Sequence, residues 1–342
     1  MTTRALVVGL GSIGRRHAAN LRTLLGNDLE LCALTGRTGA QVVPELHASA
    51  LADCDGGAFD DLGDALATRP DVVVVSNPTS LHLPVVDEAI RAGAAVLVEK
   101  PVSDSLDGLD ALVELAARRC ATVAVGCQHR FHPALLELRE LIGRDALGRV
   151  VTVCATEADY LPAYHPYEDY RRSYAARRDL GGGVVLTQIH ELDYLHWLLG
   201  MPRRVFAVGG HVSDLDVDVE DTASALLEFE TGGRPLPAHL HLDFRSRPAR
   251  RTCVVRGERG TAEVDLLRPS LTWYGEDGGA ARSTSYAGFA RNDMFLDEMR
   301  AFLAAARGEA DVPVSLAHGV DTLRIALALR TSLETGRVEV IA

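Results

Sequence analysis

The chain has 342 residues, which is long for a single domain and suits two. Hydrophobic residues make up 47% of it and charged residues 24%, and this composition excludes an intrinsically disordered protein. The formal net charge of −12 argues against DNA or RNA as a partner, because binding a polyanion needs a basic surface.

The apolar runs, the N-terminal residues and the cysteines bear on the compartment in which the protein acts. No apolar run approaches the roughly 18–20 residues that span a bilayer, and the N-terminus lacks a signal-peptide pattern. None of the six cysteines forms a C-x-x-C pair, and their number does not suggest a disulfide framework. We therefore expect a cytoplasmic protein with reduced cysteines and no membrane partner.

The first part of the chain alternates short apolar runs with helical patterns, which is typical of a parallel α/β sheet. Strands are predicted at residues 6–8, 29–34, 71–76, 95–98 and 122–126, and helices at 13–25, 80–92 and 105–118. We expect a dinucleotide-binding domain over residues 1–125.

The pattern then changes to one dominated by β-type segments. Strands are predicted at residues 150–156, 204–211, 222–229, 238–245, 252–256, 261–265 and 271–273. Helices are predicted at 133–142, 293–307 and 316–335, and one long helix at 184–199. Because several strands follow each other at hairpin distance, we expect a mostly antiparallel sheet. Residues 126–342 are therefore predicted to form a second α/β domain.

A G-x-G-x-x-G motif follows the first predicted strand and opens the first predicted helix. Gly9 permits the tight turn, Gly11 lets the backbone approach a pyrophosphate, and Gly14 allows close helix–strand packing. The helix N-terminus at Ser12 and Ile13 presents backbone N–H groups to the anion. The motif predicts a bound dinucleotide, and a glycine turn without a ligand is the alternative.

The cofactor's ribose is expected to meet the end of the second strand, about 20 residues further on. Residues 34–38 contain no Asp or Glu there, but they contain Arg37. A guanidinium suits the 2′-phosphate of NADP, so the sequence favours NADP over NAD. A solvated loop arginine is the alternative.

Polar residues follow two further strands at the same sheet edge. Asn77 and Pro78 follow the strand at 71–76, and His82 lies in the first turn of the helix predicted at 80–92. Glu99 and Lys100 follow the strand at 95–98. Because a buried ammonium group is costly, a lysine at this position is expected to face a cleft.

The chain resembles the glucose–fructose oxidoreductase / inositol dehydrogenase / MocA-type oxidoreductases. The matching pieces are GLGSIGRRHAANL at 9–21, NPTSLH at 77–82, VEKPVS at 98–103, GCQHRFHP at 126–133 and GGGVVLTQIHELDYLHWLLG at 181–200. The resemblance implies a Rossmann domain and a C-terminal α/β domain with a large open sheet. Such a sheet often serves as an oligomer interface, which implies a homodimer or homotetramer.

The resemblance also implies a reaction and its catalytic residues. The reaction is hydride transfer between a nicotinamide and a sugar-like hydroxyl or ketone, and Lys100 and His190 fall on the family's catalytic lysine and histidine. Thr187 stands where members of the family often carry an aspartate that acts together with the catalytic histidine and lysine. Either Thr187 replaces this aspartate weakly as a hydrogen-bond partner, or the proton relay is reduced to Lys100 and His190. Asp193, one helical turn beyond His190, either orients it or is structural.

A narrower likeness, over residues 160–183, 241–265 and 291–299, is to members that act in nucleotide-sugar, sialic-acid-type and glycoconjugate biosynthesis. Arginine forks suit phosphate, whereas tyrosine and histidine suit sugar hydroxyls and stacking. The residues expected at the substrate are Arg130, His165, Tyr167, Tyr170, Arg171, Tyr174, Gln188 and His190. A solvated surface loop is the alternative reading of residues 160–178.

Three functions therefore remain open from the sequence. The first is an NAD(P)-dependent sugar or nucleotide-sugar dehydrogenase or reductase. The second is a relative that keeps its cofactor bound and catalyses a redox-neutral epimerisation, elimination or hydrolysis, and the third is a non-catalytic NADP-binding sensor. A metal enzyme is not expected, because His129 with His132, His239 with His241, and His190 with Asp193 complete no three-ligand set.

Overall fold

Aliphatic runs at the start of the chain form a parallel sheet. The computed structural model describes residues 2–35 and 51–341. Its first sheet has six described strands, namely β1 (Thr3–Val8), β2 (Leu29–Leu34), β3 (Gly57–Phe59), β4 (Val72–Val75), β5 (Ala95–Glu99) and β6 (Val123–Gly126). They lie in the order β3-β2-β1-β4-β5-β6, and all neighbours are parallel. The strand order reverses between β1 and β4, the point at which doubly wound sheets bind ligands.

Four described helices accompany this sheet: α1 (Ser12–Leu25), α2 (Leu62–Ala67), α3 (His82–Ala92) and α4 (Leu109–Arg119). In α3, Val85, Val86, Ala89 and Ile90 are buried, which is the spacing of one helix face turned to a sheet. The strands themselves are buried on both sides, and the β4 valines are at most 2% exposed. The helix predicted from residue 105 begins only at Leu109, because Gly108 has a φ of +79° that an α-helix does not allow.

The second sheet has nine strands within the described residues. They are β7 (Val150–Tyr160), β8 (Arg204–Gly210), β9 (Thr222–Thr231), β10 (Arg234–Asp243), β11 (Arg245–Gly257), β12 (Thr261–Asp265), β13 (Ser270–Tyr274), β14 (Ala280–Ser285) and β15 (Glu339–Val340). Their order is β14-β13-β12-β11-β7-β10-β9-β8-β15, and β7 with β10 is the parallel pair in an otherwise antiparallel sheet. The predicted fold class, a Rossmann sheet followed by a mostly antiparallel one, is confirmed.

The remaining described α-helices are α5 (Pro133–Gly143), α6 (Val184–Thr187), α7 (His190–Leu199), α8 (Arg291–Ala306) and α9 (Leu316–Thr335). The single helix predicted over 184–199 is wrong, because the chain turns at Gln188 and Ile189 and α7 begins afresh at His190. The Gln188 amide donates to the hydroxyl of Tyr164 and to the carbonyl oxygen of Asp243, so this turn is held by tertiary contacts that helical periodicity does not encode.

Contacts divide the chain into two units, each built from three stretches. The first contains the described parts of 1–127 together with 172–182 and 295–323, and the second contains 128–171, 183–294 and the described part of 324–342. Met299 and Phe302, from late in the sequence, belong to the same buried cluster as Leu21 and Leu31. The first unit therefore draws part of its core from α8.

The described helices differ from membrane-spanning segments. Within residues 2–35 and 51–341, none combines the length and the apolar character that crossing a bilayer demands.

Candidate active site

The glycine motif forms a tight turn between β1 and α1. Gly9 has a φ of +88°, and a Cβ at this position would lie 2.8 Å from the backbone nitrogen of Asn77. A Cβ on Gly14 would overlap the carbonyl oxygen of Gly9 and lie 2.7 Å from Ser76 Oγ. Both glycines are thus required by the packing of α1 against β1 and β4.

Gly11 differs from the other two glycines. It is the N-cap of α1 with φ −66° and ψ −170°, and a Cβ on it would meet nothing within 4 Å. No side chain caps this helix, so the first-turn N–H groups, at Ser12 and Ile13, keep their capacity for an anion. This open helix terminus, with free space around residue 11, fits a dinucleotide pyrophosphate.

The loop after β4 is braced by His82. Its Nε2 lies 2.8 Å from the carbonyl oxygen of Asn77, and its Nδ1 lies 2.9 Å from that of Pro101. Burial of the ring lowers the pKa of His82. Asn77 Nδ2 donates to the carbonyl oxygen of Leu81, while its buried Oδ1 has no hydrogen-bond partner among the described residues. His82 therefore joins the loop at Asn77 and Pro78 to the loop at Pro101.

The lysine at the end of β5 is anchored through its neighbour. His17 Nε2 on α1 donates to Glu99 Oε1 at 2.7 Å, and the Lys100 backbone nitrogen donates to Glu99 Oε2 at 3.3 Å. Burial alone would raise the pKa of Glu99, but the His17 hydrogen bond and the charges of His17 and Lys100 outweigh it and lower the pKa. A Cβ on Gly126 would lie 3.2 Å from the Glu99 carboxyl group, so this glycine makes room for the pair.

The residue expected to select the cofactor, Arg37, lies outside the described residues. The end of β2 is nevertheless described, and there Thr35 Oγ1 lies 3.4 Å from Oδ1 of Asp60. Asp60 is exposed and directly follows β3. This carboxylate was not predicted, because it reaches the tip of β2 from a neighbouring strand.

His190 is the first residue of α7 and only 6% exposed. Its Nε2 lies 3.2 Å from Nε2 of Gln128, and its ring stacks on His129 with a centroid separation of 4.5 Å. Thr187, the last residue of α6, is 7% exposed. Gln128 was missed although it follows the strand at 122–126, the same signal that identified Asn77 and Lys100.

Arg130 and Asp193 form a buried, bidentate ion pair. Arg130 Nε lies 2.9 Å and Nη2 2.7 Å from the two Asp193 carboxylate oxygens, and the guanidinium lies over Trp197 at 5.6 Å. Two N–H groups of Arg130 are thus committed to Asp193. The structure places this expected substrate residue in the packing between α7 and the turn before α5.

A second ionic cluster, of one arginine and two carboxylates, lies at the start of α7. Arg251 on β11 makes two hydrogen bonds to Glu191, at 2.7 and 2.8 Å, and lies 2.8 Å from Glu157 on β7. Burial opposes the charge of Arg251, but the two carboxylates outweigh it and raise its pKa. Both carboxylates, Glu191 on the helix and Glu157 on β7, therefore share the one guanidinium of Arg251.

The aromatic and basic segment at 160–178 is divided between the two units. In the second unit the Tyr167 hydroxyl lies 3.3 Å from His165 Nδ1, and Arg171 Nε donates to Asp169 at 2.8 Å. The Tyr170 hydroxyl accepts from the Asp216 backbone nitrogen. Tyr174 belongs to the first unit and is 36% exposed.

Gln188 and Tyr164 form a polar contact beside His190. The Gln188 amide, 1% exposed, lies 3.1 Å from the Tyr164 hydroxyl. Burial and the nearby Glu157 charge raise the pKa of Tyr164 well above its ordinary value, so the phenol stays protonated. Tyr164 was missed among several tyrosines of the segment, because the sequence does not distinguish the buried ones.

The side chains that commonly bind metals are those of histidine, cysteine, aspartate and glutamate. Across 2–35 and 51–341, no three His, Cys, Asp or Glu side chains come together in a way that could hold a metal ion.

Two family models match the chain. Residues 3–127 match an oxidoreductase family with an NAD-binding Rossmann fold, and residues 135–263 match the GFO/IDH/MocA C-terminal domain. Among curated relatives, UDP-N-acetylglucosamine 3-dehydrogenase of Acidithiobacillus ferrooxidans is 30% identical over 342 residues, covering 97% of each chain. Inositol 2-dehydrogenase of Rhizobium meliloti is 25% identical over 99% of this chain and the whole of that one.

Solved structures agree with these matches. The structure of the Acidithiobacillus ferrooxidans UDP-N-acetylglucosamine 3-dehydrogenase superposes with a TM-score of 0.76, at 26% identity and 98% coverage of both chains. Levoglucosan dehydrogenase, solved with NADH and levoglucosan, gives a TM-score of 0.85 at 17% identity over the whole of both chains, which is a likeness of fold. The chain therefore belongs to the GFO/IDH/MocA family and is an NAD(P)-dependent dehydrogenase with an NAD-binding Rossmann fold.

Proposed function

We propose that the chain transfers a hydride between NAD(P) and the hydroxyl or keto carbon of a sugar or nucleotide-sugar, with Lys100 and His190 as its acid–base groups. Two relatives named above act, by their names, on a UDP-sugar and on an inositol. Removing a hydride from a carbinol carbon requires that the hydroxyl also lose its proton, and this is the task of a general base. The proposal therefore assigns a proton-transfer role to each of the two residues.

The observation that carries the proposal is the identity of residue 100. Lys100 is the only lysine among the 35 basic residues of the sequence. Wherever a positive charge suffices, this chain uses arginine, whose proton is never released in proteins. A lysine retained at the end of β5 is therefore explained by a need for a compact ammonium group that can exchange its proton.

The anchoring of Lys100 supports the same role. Its backbone is tied to Glu99, which is itself held by the buried His17 at 2.7 Å. The strand order β1-β4-β5 brings the end of β5 to the same sheet edge as the glycine turn after β1. The Lys100 main chain is thus fixed at the edge where the cofactor is expected.

The cofactor, when bound, supplies or accepts the hydride. We propose that Gly9, Gly11, Gly14 and the N–H groups of Ser12 and Ile13 bind its pyrophosphate, and that Asn77, Pro78, Glu99 and Lys100 line the same edge. His82 shapes this edge through its two loop contacts. Lys100 then either releases a proton or stays charged and polarises the substrate oxygen.

His190 is proposed to hold or move the second proton, since histidine titrates near neutral pH. Thr187 replaces a charged partner with a hydroxyl, so it adds no carboxylate to the relay. Gln188 and Tyr164 are proposed to bind sugar hydroxyls beside His190, and His165, Tyr167, Tyr170, Arg171 and Tyr174 to bind the remainder of the substrate. Arg130 is proposed to support His190 through Asp193, because its guanidinium is already paired.

For the cofactor we propose NADP on the strength of Arg37, which suits a 2′-phosphate. The Asp60 carboxylate near Thr35 favours a second candidate, NAD, because a negative charge at the end of β2 repels a phosphate and accepts from a ribose hydroxyl. The two residues therefore oppose each other in cofactor choice.

We further propose that the chain forms a homodimer or homotetramer through the second sheet. Phe206 and Leu226 are cross-strand neighbours on β8 and β9, and they are 39% and 44% exposed. Val208, further along β8, is 63% exposed. A second copy of the chain would remove these apolar side chains from water.

The function is tested by substituting Lys100. Lys100→Met and Lys100→Arg are each expected to lower turnover at least about 100-fold, because neither can exchange a proton. The assay follows NADH and NADPH absorbance over a panel of sugars that includes inositols and UDP-N-acetylglucosamine. Arg118→Met, which removes an exposed charge paired with Glu114, is the control and should retain activity.

The arginine variant is decisive, because it preserves the positive charge. Near-normal turnover of Lys100→Arg with cofactor bound would remove proton exchange by Lys100 from the mechanism. Loss of turnover in His190→Ala is likewise expected, whereas a change confined to KM would reduce His190 to a binding residue.

A further inference from the structure

Gln128 contacts the proposed base directly. It opens the short 3-10 turn Gln128–Phe131 and is 5% exposed. Its amide nitrogen lies 3.2 Å from His190 Nε2. An amide nitrogen can only donate, so Nε2 is the acceptor and the neutral imidazole carries its proton on Nδ1.

The other half of the same amide is also informative. Gln128 Oε1 is buried and has no hydrogen-bond partner among the described residues. A buried carbonyl oxygen without a partner has lost the hydrogen bonds that water would give it, which is unfavourable. A half-turn of the amide would bring this oxygen to Nε2, where it could accept from a protonated imidazole.

The charged groups that surround His190 in the second unit are already paired. Glu191 and Glu157 both contact Arg251, and Asp193 contacts Arg130. A further titratable neighbour is His129, which stacks on the ring at 4.5 Å. The contact from Gln128 is therefore an uncharged one, beside ion pairs whose three carboxylates and two guanidiniums sum to a formal charge of −1.

We propose that Gln128 is the positioning residue of His190, donating to Nε2 of the neutral ring and, after a half-turn of its amide, accepting from Nε2 of the protonated ring. The inference rests on the proposed function, since it explains how the base is oriented. A carboxylate in this place would favour the protonated ring alone, whereas an amide serves both states without adding charge.

The first test uses the unmodified protein. Long-range 1H–15N NMR correlations of histidine-labelled protein report which nitrogen carries the proton, and His190→Gln assigns the signal. Above the titration range, His190 is expected to be the Nδ1–H tautomer. An Nε2–H tautomer would overturn the proposal, and this test holds even if no variant of Gln128 folds.

The second test adds a charge. Gln128→Glu should raise the pKa of His190 by about 1–2 units, because an opposite charge in contact favours the imidazolium. Gln188→Glu is the matched control, since Gln188 is equally buried and close in sequence but donates to Tyr164 and Asp243. In Gln188→Glu the pKa of His190 should shift less than half as much as in Gln128→Glu. Equal shifts in the two variants would refute a role for the contact between Gln128 and His190.

Kinetics separate this proposal from the proposed function. Gln128→Met keeps the side-chain volume and is expected to lower kcat about 10-fold or more with cofactor affinity unchanged. If His190→Ala is inactive but Gln128→Met has normal kcat and Gln128→Glu leaves the titration unmoved, Gln128 does not position His190. If the NMR results hold while His190→Ala turns over normally, the proposed role of His190 is what fails.

Discussion

The last two glycines of the motif, Gly11 and Gly14, allow a structural role to be separated from a role in binding the cofactor. Gly14 faces the carbonyl group of Gly9. A Cβ on Gly14 would overlap the Gly9 carbonyl oxygen and would lie 3.0 Å from the Gly9 carbonyl carbon. Gly11 faces open space and has a φ of −66°, which any residue tolerates. The same substitution to alanine should therefore have opposite consequences at the two positions.

Gly14→Ala is expected to destabilise the fold. An ordinary C···O contact is about 3.3 Å, so the Gly9 carbonyl or the whole of α1 must withdraw by more than about 1 Å. Overpacking of this kind costs about 1–3 kcal/mol, and a backbone obstacle points to the upper end. Ser76→Ala should not rescue the variant, because it removes the contact with Ser76 Oγ but not the one with the carbonyl oxygen.

Gly11→Ala is expected to fold normally and to bind cofactor poorly. Replacing glycine in an allowed conformation stabilises by about 0.4–1 kcal/mol through the unfolded chain, and this offsets a poorer N-cap of similar size. The new methyl group occupies the space in front of the Ser12 and Ile13 N–H groups. We expect a change in unfolding free energy within about 1 kcal/mol and at least a tenfold weaker Kd for NADH.

Thermal unfolding without cofactor and a fluorescence titration with NADH measure the two effects. The expected pattern is a Tm lowered by about 6 °C or more for Gly14→Ala and a nearly unchanged Tm for Gly11→Ala. The reasoning would be refuted by a stable Gly14→Ala protein, or by a Gly11→Ala protein that binds NADH as tightly as the unmodified chain.

Two other predictions concern pH and cofactor choice. Burial lowers the pKa of His132, the N-cap of α5, from 6.5 to about 4, so stability is fully present above pH 6.5 and is lost as the pH falls toward 4. His132→Asn keeps a capping oxygen that does not titrate. Over that pH window its unfolding free energy should therefore fall by about 3 kcal/mol less than that of the unmodified chain. Urea unfolding at a series of pH values measures this difference, and an equal fall with pH in the two proteins would contradict the prediction. For the cofactor, Arg37→Ala should weaken NADPH binding about 10-fold with little effect on NADH, and Asp60→Ala should favour NADPH. Tighter binding of NADH than NADPH by the unmodified chain, unchanged in Arg37→Ala, would rule out the NADP preference.

Much of the fold could be read from local pattern. The valine run at Val72–Val75 and the alternation of β9 are periodicities that a strand imposes on its own residues. The glycine spacing likewise encodes a turn whose φ values and close approaches are local demands. The Lys100 position followed from the end of a buried strand, which the structure places at the carboxyl edge of β5.

Other features depended on partners distant in sequence. The break before α7 is held by Tyr164 and Asp243, and Asp60 reaches the tip of β2 from β3. The ion pair of Arg130 with Asp193, 63 residues away, was not predicted, and the substrate role of Arg130 stays a prediction. None of these pairings has a signal in the residues that flank either partner.

By itself, the sequence determined where strands end and which chemical groups stand there, because strand and turn preferences act over a few residues. Only the tertiary structure decided which of those groups are already satisfied by another side chain. The difference between Arg130, which is paired, and the Gln128 amide, which meets His190, arises when segments remote in the chain pack together and every buried polar atom must find a partner.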